Sequence, residues 1–459
     1  MDTATKQGNE TASSAVNRRM LKSILQKKDI HLNEILTGSS FAFGLNILGH
    51  LCGYVFILLI TRNLGADAMG IFSLSYTVLV IFVVIGNLGF DTALLRFVAD
   101  YSSTNRWDLV KEVYLKALRL IIPFSFLLTI LLFYCSPYIA KYIFNKDHLS
   151  IYIKLISFGV LPLVLLGINA ECLRGVKKIK ESVFFSKVSV VLVGTIIFSI
   201  LIFYVKEYYL PIVIYVICIV LMSILCWIVW MKKSRLSFSS YNDSLEYKTI
   251  LSVSVPMLLS KSSLLLMAWT DTIILGIFRT EGEVGIYNVA FRVAILTSFT
   301  LPVIFSITAP KFASLYGIGE TKELKRVFRI STKMVFWTSI PVLLTIFLFP
   351  SFILGMFGSA FKEGVFALLI LSFGYFIASI FGSAGHLLQM TGKQKIYLNI
   401  ILIATIINII LNLVLVPVYG INGAALSTMV SMAFAHLLMV IFVYKIFGFT
   451  TIYFLPGGK

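Results

Sequence analysis

Charge is scarce in this chain. Asp, Glu, Lys and Arg make up 13% of its 459 residues, about half the share found in soluble globular proteins. So few charges cannot cover a water-exposed surface, and the 58% of hydrophobic residues and mean hydropathy of +0.93 agree with that. Acid is scarcer still, with 21 acidic residues against 39 basic ones and a net charge of +18. Cysteine is sparse: Cys52, Cys135, Cys172, Cys218 and Cys226 lie in or beside apolar runs without CxxC spacing. Neither a disulfide framework nor a thiolate metal site is implied. No Walker-type phosphate loop occurs, which argues against ATP-driven transport by this chain. The first 35 or so residues, including "NRRMLKSILQKKD", are basic but lack a small-residue cleavage site, so they read as a cytoplasmic tail rather than a cleaved leader.

What the chain has is apolar runs long enough to cross a hydrocarbon core of about 30 Å as helices. Twelve occur, near 37–61, 69–91, 117–136, 151–173, 183–204, 209–231, 250–275, 285–309, 333–356, 365–389, 396–416 and 420–446. With the N-terminus inside, 30 of the 39 basic residues fall in inside segments, 7 in outside segments, and Lys261 and Arg292 within spans. This bias sets the expected orientation, with both termini cytoplasmic in the cell membrane. The outside links are short and leave no room for an outer domain.

"RNLGADAMGIFSL" from Arg62 and "FRTEGEVGIYNV" from Phe278 share a charged link, a Gly-Ile pair and an apolar run. An offset of 215 residues places Gly70-Ile71 on Gly285-Ile286, Phe90 on Phe305, Phe97 on Phe312 and Tyr101 on Tyr316. "SFG" at Ser157 falls on "SFG" at Ser372, and Gly167 on Gly382. One offset held across loops as well as helices marks an internal repeat. Six spans per half is an even number, so both halves enter the membrane from the same side and are parallel repeats about a central cavity. The expected architecture is all-α and integral to the membrane: a tail (1–36), an N-lobe (37–231), an inter-lobe linker (232–249), a C-lobe (250–447) and a second tail (448–459).

The segment "ITRNLGADAMGIFSLSYTVLVIFVVIGNLGFDTALLRFVADY" resembles the first-repeat signature of the polysaccharide biosynthesis (O-antigen/teichoic acid export) flippases. These belong to the multidrug/oligosaccharidyl-lipid/polysaccharide exporter superfamily. "DTIILGIFRTEGEVGIYNVAFRVAIL" and "TGKQKIYLNIILIATIINIILNLVLVPVYGINGAALST" are similar to its second-repeat signatures, and the resemblance spans roughly residues 37–447. It implies a MATE-like transporter fold and alternating access. The implied cargo is an anionic oligosaccharide on a polyprenyl (pyro)phosphate, moved from the cytoplasmic to the outer leaflet. No nucleic acid and no cofactor are implied. Cycling would draw on Na+, H+ or the membrane potential, among membrane lipids and glycan-assembly enzymes, and the internal two-lobed repeat makes a functional monomer the expectation. Some members carry fourteen spans; this chain stops at twelve.

Charges within spans are costly and face a bundle interior or water. Lys261 falls near the midplane of its span, whereas Asp271 and Arg292 lie about 5–10 Å below the outer face. Lys261 has no equally deep acidic counterpart in the sequence, which suits it to an anionic phosphate. Asp271 and Arg292 share a depth on sequential helices and are read either as an ion pair or as part of the site. Asn288 and Arg292, spaced i, i+4, share a helix face, as do Asn46 and His50. The latter two are read as a helix-to-helix hydrogen bond beside Gly49 and Gly53, or as a proton relay at His50.

Three other functions are weighed against flipping. Cation-coupled drug export calls for cavity carboxylates, and the spans offer Asp271 beside two cations. A membrane glycosyltransferase or polymerase needs acidic residues on a sizeable outer loop, whereas "RNLGADAMG" holds a lone Asp67. A scaffold has no use for a buried lysine. The sequence therefore reads as a transporter and not an enzyme, with Lys261, Arg292, Asn288, Asp271, Asn46 and His50 as candidate substrate ligands.

Overall fold

A computed structural model describes the backbone of residues 3–234, 245–381 and 383–449. Side chains are described for the same residues except 3–40, 42, 256, 257, 259–268 and 306. The side chains of Lys261 and of the basic tail, and residues 235–244 of the linker and 450–459 altogether, therefore lie outside the described residues.

The secondary structure of the described residues is helical, as apolar chains in lipid must be to pair their own backbone groups. The first half holds α1 (Thr3–Gly86), α2 (Phe90–Ser103) and α3 (Trp107–Tyr138). There follow α4 (Leu149–Ser157), α5 (Val160–Gly175), α6 (Ile179–Val183), α7 (Ser189–Leu201) and α8 (Leu210–Lys233). The second half begins with α9 (Tyr247–Phe278), α10 (Glu281–Ile295), α11 (Thr300–Gly317) and α12 (Thr321–Leu348). It closes with α13 (Pro350–Gly355), α14 (Val365–Phe381), α15 (Ala384–Met390) and α16 (Gln394–Phe447).

Among the described residues, seven helices are long and apolar enough to cross a membrane, or eight if α4 and α5, bent by 42°, count as one span. Two of them exceed one crossing: 44 residues from Phe43 to Gly86 and 54 from Gln394 to Phe447, against the 20 or so that suffice. Each is broken at a single glycine, Gly65 (φ 86°, ψ −171°) and Gly420 (φ 56°, ψ −132°). Only glycine adopts such angles without a Cβ clash. The link expected between 61 and 69 is thus a one-residue break inside a helical run, and the link near 417–420 likewise.

The repeat is visible in the helix starts. Ile179 opens α6 and Gln394 opens α16, 215 residues apart; Ala66 resumes α1 after Gly65, and Glu281 opens α10, again 215 apart. These last two segments cross at close range. A Cβ on Gly70 would lie 1.8 Å from the Glu281 carbonyl oxygen, and one on Gly285 would lie 2.2 Å from that of Ala66. The two contacts exchange under the repeat, since 66 pairs with 281 and 70 with 285. This is the self-complementary pattern of a two-fold interface, realised inside one chain.

The main core runs through both halves, from Phe56, Met69 and Phe90 to Leu275, Tyr287 and Ala424. A smaller cluster of the second half gathers Phe312, Phe328, Leu388 and Met439. Side chains such as Phe126, Leu127 and Phe352 remain exposed, as lipid-facing positions do in a protein whose solvent on that side is hydrocarbon.

Candidate functional site

The described candidate residues fall into two groups. The first surrounds Asp271, which sits on α9 and is 2% exposed. Its carboxylate accepts hydrogen bonds from Tyr287 of α10 (2.5 Å), and from Thr428 (2.5 Å), Asn412 (2.8 Å) and Asn408 (3.4 Å) of α16. Asn408 also donates to Thr428 and Ser431. Asn288 turns toward the same helix pair, donating to Thr272 at 3.5 Å and to the Val284 carbonyl at 3.0 Å. A buried carboxylate is tolerated only when hydrogen bonds replace its lost hydration. Here four neutral donors do so, and no ion pair joins Asp271 to Arg292 among the described residues. Asn408 Oδ1 and Asn412 Oδ1 are buried without a hydrogen-bond partner among the described residues. A half-turn of either amide exchanges donor for acceptor, so the cluster can solvate a bare carboxylate or present oxygens to a small cation. No group of three or more His, Cys, Asp or Glu occurs among the described residues.

The second group lies where α1 of the first half meets the helices of the second. Asn46, His50 and Tyr54 are spaced i, i+4, i+8 along one stripe of α1. The Tyr54 hydroxyl donates to the Arg292 carbonyl at 2.6 Å, and the His50 ring meets Phe299 edge-on at 6.0 Å. The Arg292 carbonyl is available because α10 ends there. The Leu296 N–H, which would close an α-turn on Arg292, bonds Val293 and Ala294 instead, and a 3-10 turn follows at Leu296–Ser298. Arg292 is half-buried, and no carboxylate pairs with it among the described residues. Of the two glycines beside this stripe, Gly49 packs against the Lys187 carbonyl, where a Cβ would lie at 2.6 Å, whereas Gly53 has nothing within 4 Å among the described residues. The structure thus places Asn46 and His50 on the helix whose Tyr54 bonds the Arg292 carbonyl, while Asp271 and Asn288 bond to residues of α9, α10 and α16.

The links at one end of the molecule are tied together. Lys146 of the first half donates to the Gly276 carbonyl at 2.9 Å and to the Arg279 carbonyl at 2.5 Å, and His148 Nε2 lies 2.8 Å from Glu281. Burial holds the Lys146 ammonium below the ordinary lysine range, with Glu281 and Glu283 pulling it the other way. Arg62 reaches across to the carbonyls of Met356 and Gly355. Arg279 in turn caps the carbonyls of Val416 (3.1 and 3.0 Å) and Pro417 (2.8 Å) just before the break at Gly420. Helix ends leave such carbonyls without partners, and a cation is a favourable cap.

Sequence reasoning reached Asp271 but not its partners, and missed Tyr54. The available signals were the i, i+4 asparagines in "TIINIILNLV" and the continuation of the 46–50 stripe by one more turn. Elsewhere, Glu171 pairs with Arg174 at 3.4 Å, and His386 stacks on Phe305 at 3.5 Å.

Comparison with known proteins places this geometry. Residues 35–316 match the model of a family described as polysaccharide biosynthesis protein, and residues 256–414 match the MatE model. A probable low-salt glycan biosynthesis flippase, Agl15 of Haloferax volcanii, is 30% identical over 167 residues. That stretch is 36% of this chain and 35% of the relative, so the match spans about a third of that protein's length. Among solved structures, an inward-facing multidrug resistance MATE family transporter of the MOP superfamily superimposes with a TM-score of 0.73 at 14% identity. The comparison covers 89% of this chain and 98% of that one. The lipid II flippase MurJ, in an inward closed conformation, gives 0.71 at 16% identity, covering 89% and 87%. At these identities the likeness is one of fold.

Proposed function

The chain belongs to the family of polysaccharide biosynthesis proteins, and on that premise we propose that it flips an anionic, polyprenyl-linked oligosaccharide from the cytoplasmic to the outer leaflet by alternating access. One observation carries the choice of cargo. The buried carboxylate is satisfied by neutral donors, leaving the Arg292 guanidinium free of any carboxylate partner among the described residues, on a helix that meets the other half. A guanidinium so placed favours phosphate through paired, charge-assisted hydrogen bonds. Asn46 and His50 line the same meeting of helices and serve the sugar or phosphate. Lys261 adds a second cation from α9.

In this reading α1 and α16 each supply two crossings, giving twelve spans in two six-helix lobes around a central cavity. Both termini are cytoplasmic, and the tied links face outward. Asp271, Asn408, Asn412 and Thr428 would hold the coupling proton or sodium ion. A drug exporter of the same fold is the second reading, since Asp271 is acidic and central to its cluster.

The test is surface-glycan staining of a flippase-deficient strain carrying wild type, Arg292→Ala, Lys261→Ala or Lys261→Arg at equal membrane abundance. Restoration by wild type, loss of tenfold or more in both alanine variants and partial retention by Lys261→Arg are expected. Full activity of both alanine variants sinks the anionic cargo, and drug resistance conferred by wild type without glycan restoration favours the second reading.

A further inference from the structure

Two buried charges on α3 grip the main chain of the residue that leads into α9. Glu112 and Lys116, four residues apart on one helix face, pair at 3.0 Å with side chains 1% and 3% exposed. Glu112 Oε1 also accepts from the Leu245 N–H at 2.6 Å, and Lys116 Nζ donates to the Leu245 carbonyl. The Tyr247 ring lies 5.2 Å from the same ammonium. A buried ion pair repays its desolvation only when further hydrogen bonds use its remaining lone pairs and protons. Here both halves of one residue's peptide backbone supply them.

The first turns of α9 continue this attachment. Ile250 is buried in the main core, and a Cβ on Gly89, at the start of α2, would lie 2.0 Å from the Ser254 carbonyl oxygen. The stretch entering the linker is fixed to the same half, since Trp230 of α8 packs against Tyr114 of α3 with ring centroids 5.6 Å apart. The chain on either side of the linker, at Trp230 and at Leu245, thus packs on the first half. The far end of α9, by contrast, carries Asp271 into the second half's polar cluster.

We propose that Glu112 and Lys116 form a main-chain clamp that makes the start of α9 part of the first half, so that relative movement of the halves is taken beyond the clamp, within α9. The clamp goes beyond the flippase reading and does not depend on which molecule is moved.

Spin labels at Asp108→Cys and Lys248→Cys, two exposed positions, report whether the start of α9 stays on α3. Cys52 and Cys135 are replaced by serine in this background, and the distance distribution is read by pulsed EPR on the full chain in nanodiscs. Wild type should give one narrow distribution. Glu112→Ala and Lys116→Met should each broaden it about twofold toward longer distances. The double charge swap, Glu112→Lys with Lys116→Glu, should stay broad, because a lysine at 112 cannot accept from the Leu245 N–H. Inserting ten Gly/Ser residues within 235–244 should leave the wild-type distribution unmoved. Recovery by the swap would reduce the clamp to an ordinary ion pair, and broadening by the insertion would show that the linker holds α9; either overturns the proposal.

Discussion

The two halves put opposite chemistry at matching positions. At the 215-residue offset Asp271 corresponds to Phe56, Tyr287 to Phe72, Asn408 to Val193, Asn412 to Ile197 and Thr428 to Val213. Where the second half builds a hydrogen-bonded carboxylate, the first packs rings: Phe56 meets Phe72 at 5.7 Å and Phe198 at 5.6 Å. The shared frame is visible in one pair of stacks, Tyr287 on Phe291 and Phe72 on Tyr76, each with centroids 6.1 Å apart. Interiors of this density accept either a full set of apolar side chains or a fully satisfied polar network, and penalise a mixture. The scaffold is common to both halves, and the distinctive chemistry occupies one of them.

Mixing the two solutions should be the most damaging change. Phe56→Asp puts a carboxylate among phenyl rings with none of the four donors that Asp271 has, at a cost on the order of 4 kcal/mol or more. The variant should fail to accumulate as a monodisperse species on size-exclusion chromatography. The reverse change, Asp271→Leu, strands donors that each cost about 1–3 kcal/mol when left unpaired, partly relieved by rotation of the hydroxyls. It should lower the melting temperature in detergent while still yielding folded protein. Equal yields for the two variants would erase the distinction between the halves.

Smaller effects probe where the halves touch. Gly285→Ala places a methyl 2.2 Å from the Ala66 carbonyl and 2.9 Å from the Gly70 nitrogen, and overpacking of this kind costs about 1–3 kcal/mol. Its expected signature is faster labelling of a cysteine introduced at Glu281, as the crossing opens. Gly53→Ala should do least. Nothing among the described residues lies within 4 Å of its Cβ position, so alanine gains helix propensity of about 0.5–1 kcal/mol. A melting temperature lowered by Gly53→Ala would mean that this stripe of α1 packs more tightly than the open space implies.

Much of the frame was legible in the sequence because apolar runs and an integral offset survive in the order of residues. Gly70 and Gly285 stand in a repeated phrase, which marks the pair without showing that they meet. The polar cluster was legible only at Asp271, because three of its four partners stand 137 to 157 residues further along the chain. Asparagine and threonine in apolar helices carry no charge to betray them. Arg292 was matched in depth to Asp271, but depth does not fix rotation about the helix axis, and rotation turns the carboxylate to α16 and the arginine carbonyl to Tyr54. Glu112 and Lys116 were hidden differently: Lys116 counted as one more basic charge of an inside segment, and nothing in the order of residues ties Glu112 to Leu245.

The crossing of the segments that begin at Ala66 and Glu281 has a consequence for how such a chain can arise. Each half offers the other the same patch, so a protein of half this length would carry a surface complementary to a second copy of itself. Both contacts land on main-chain carbonyls, which every residue type possesses. After a duplication, the side chains of the two copies could drift apart as far as Phe56 and Asp271 have, while the fit between the copies required nothing of them except that two positions remain glycine.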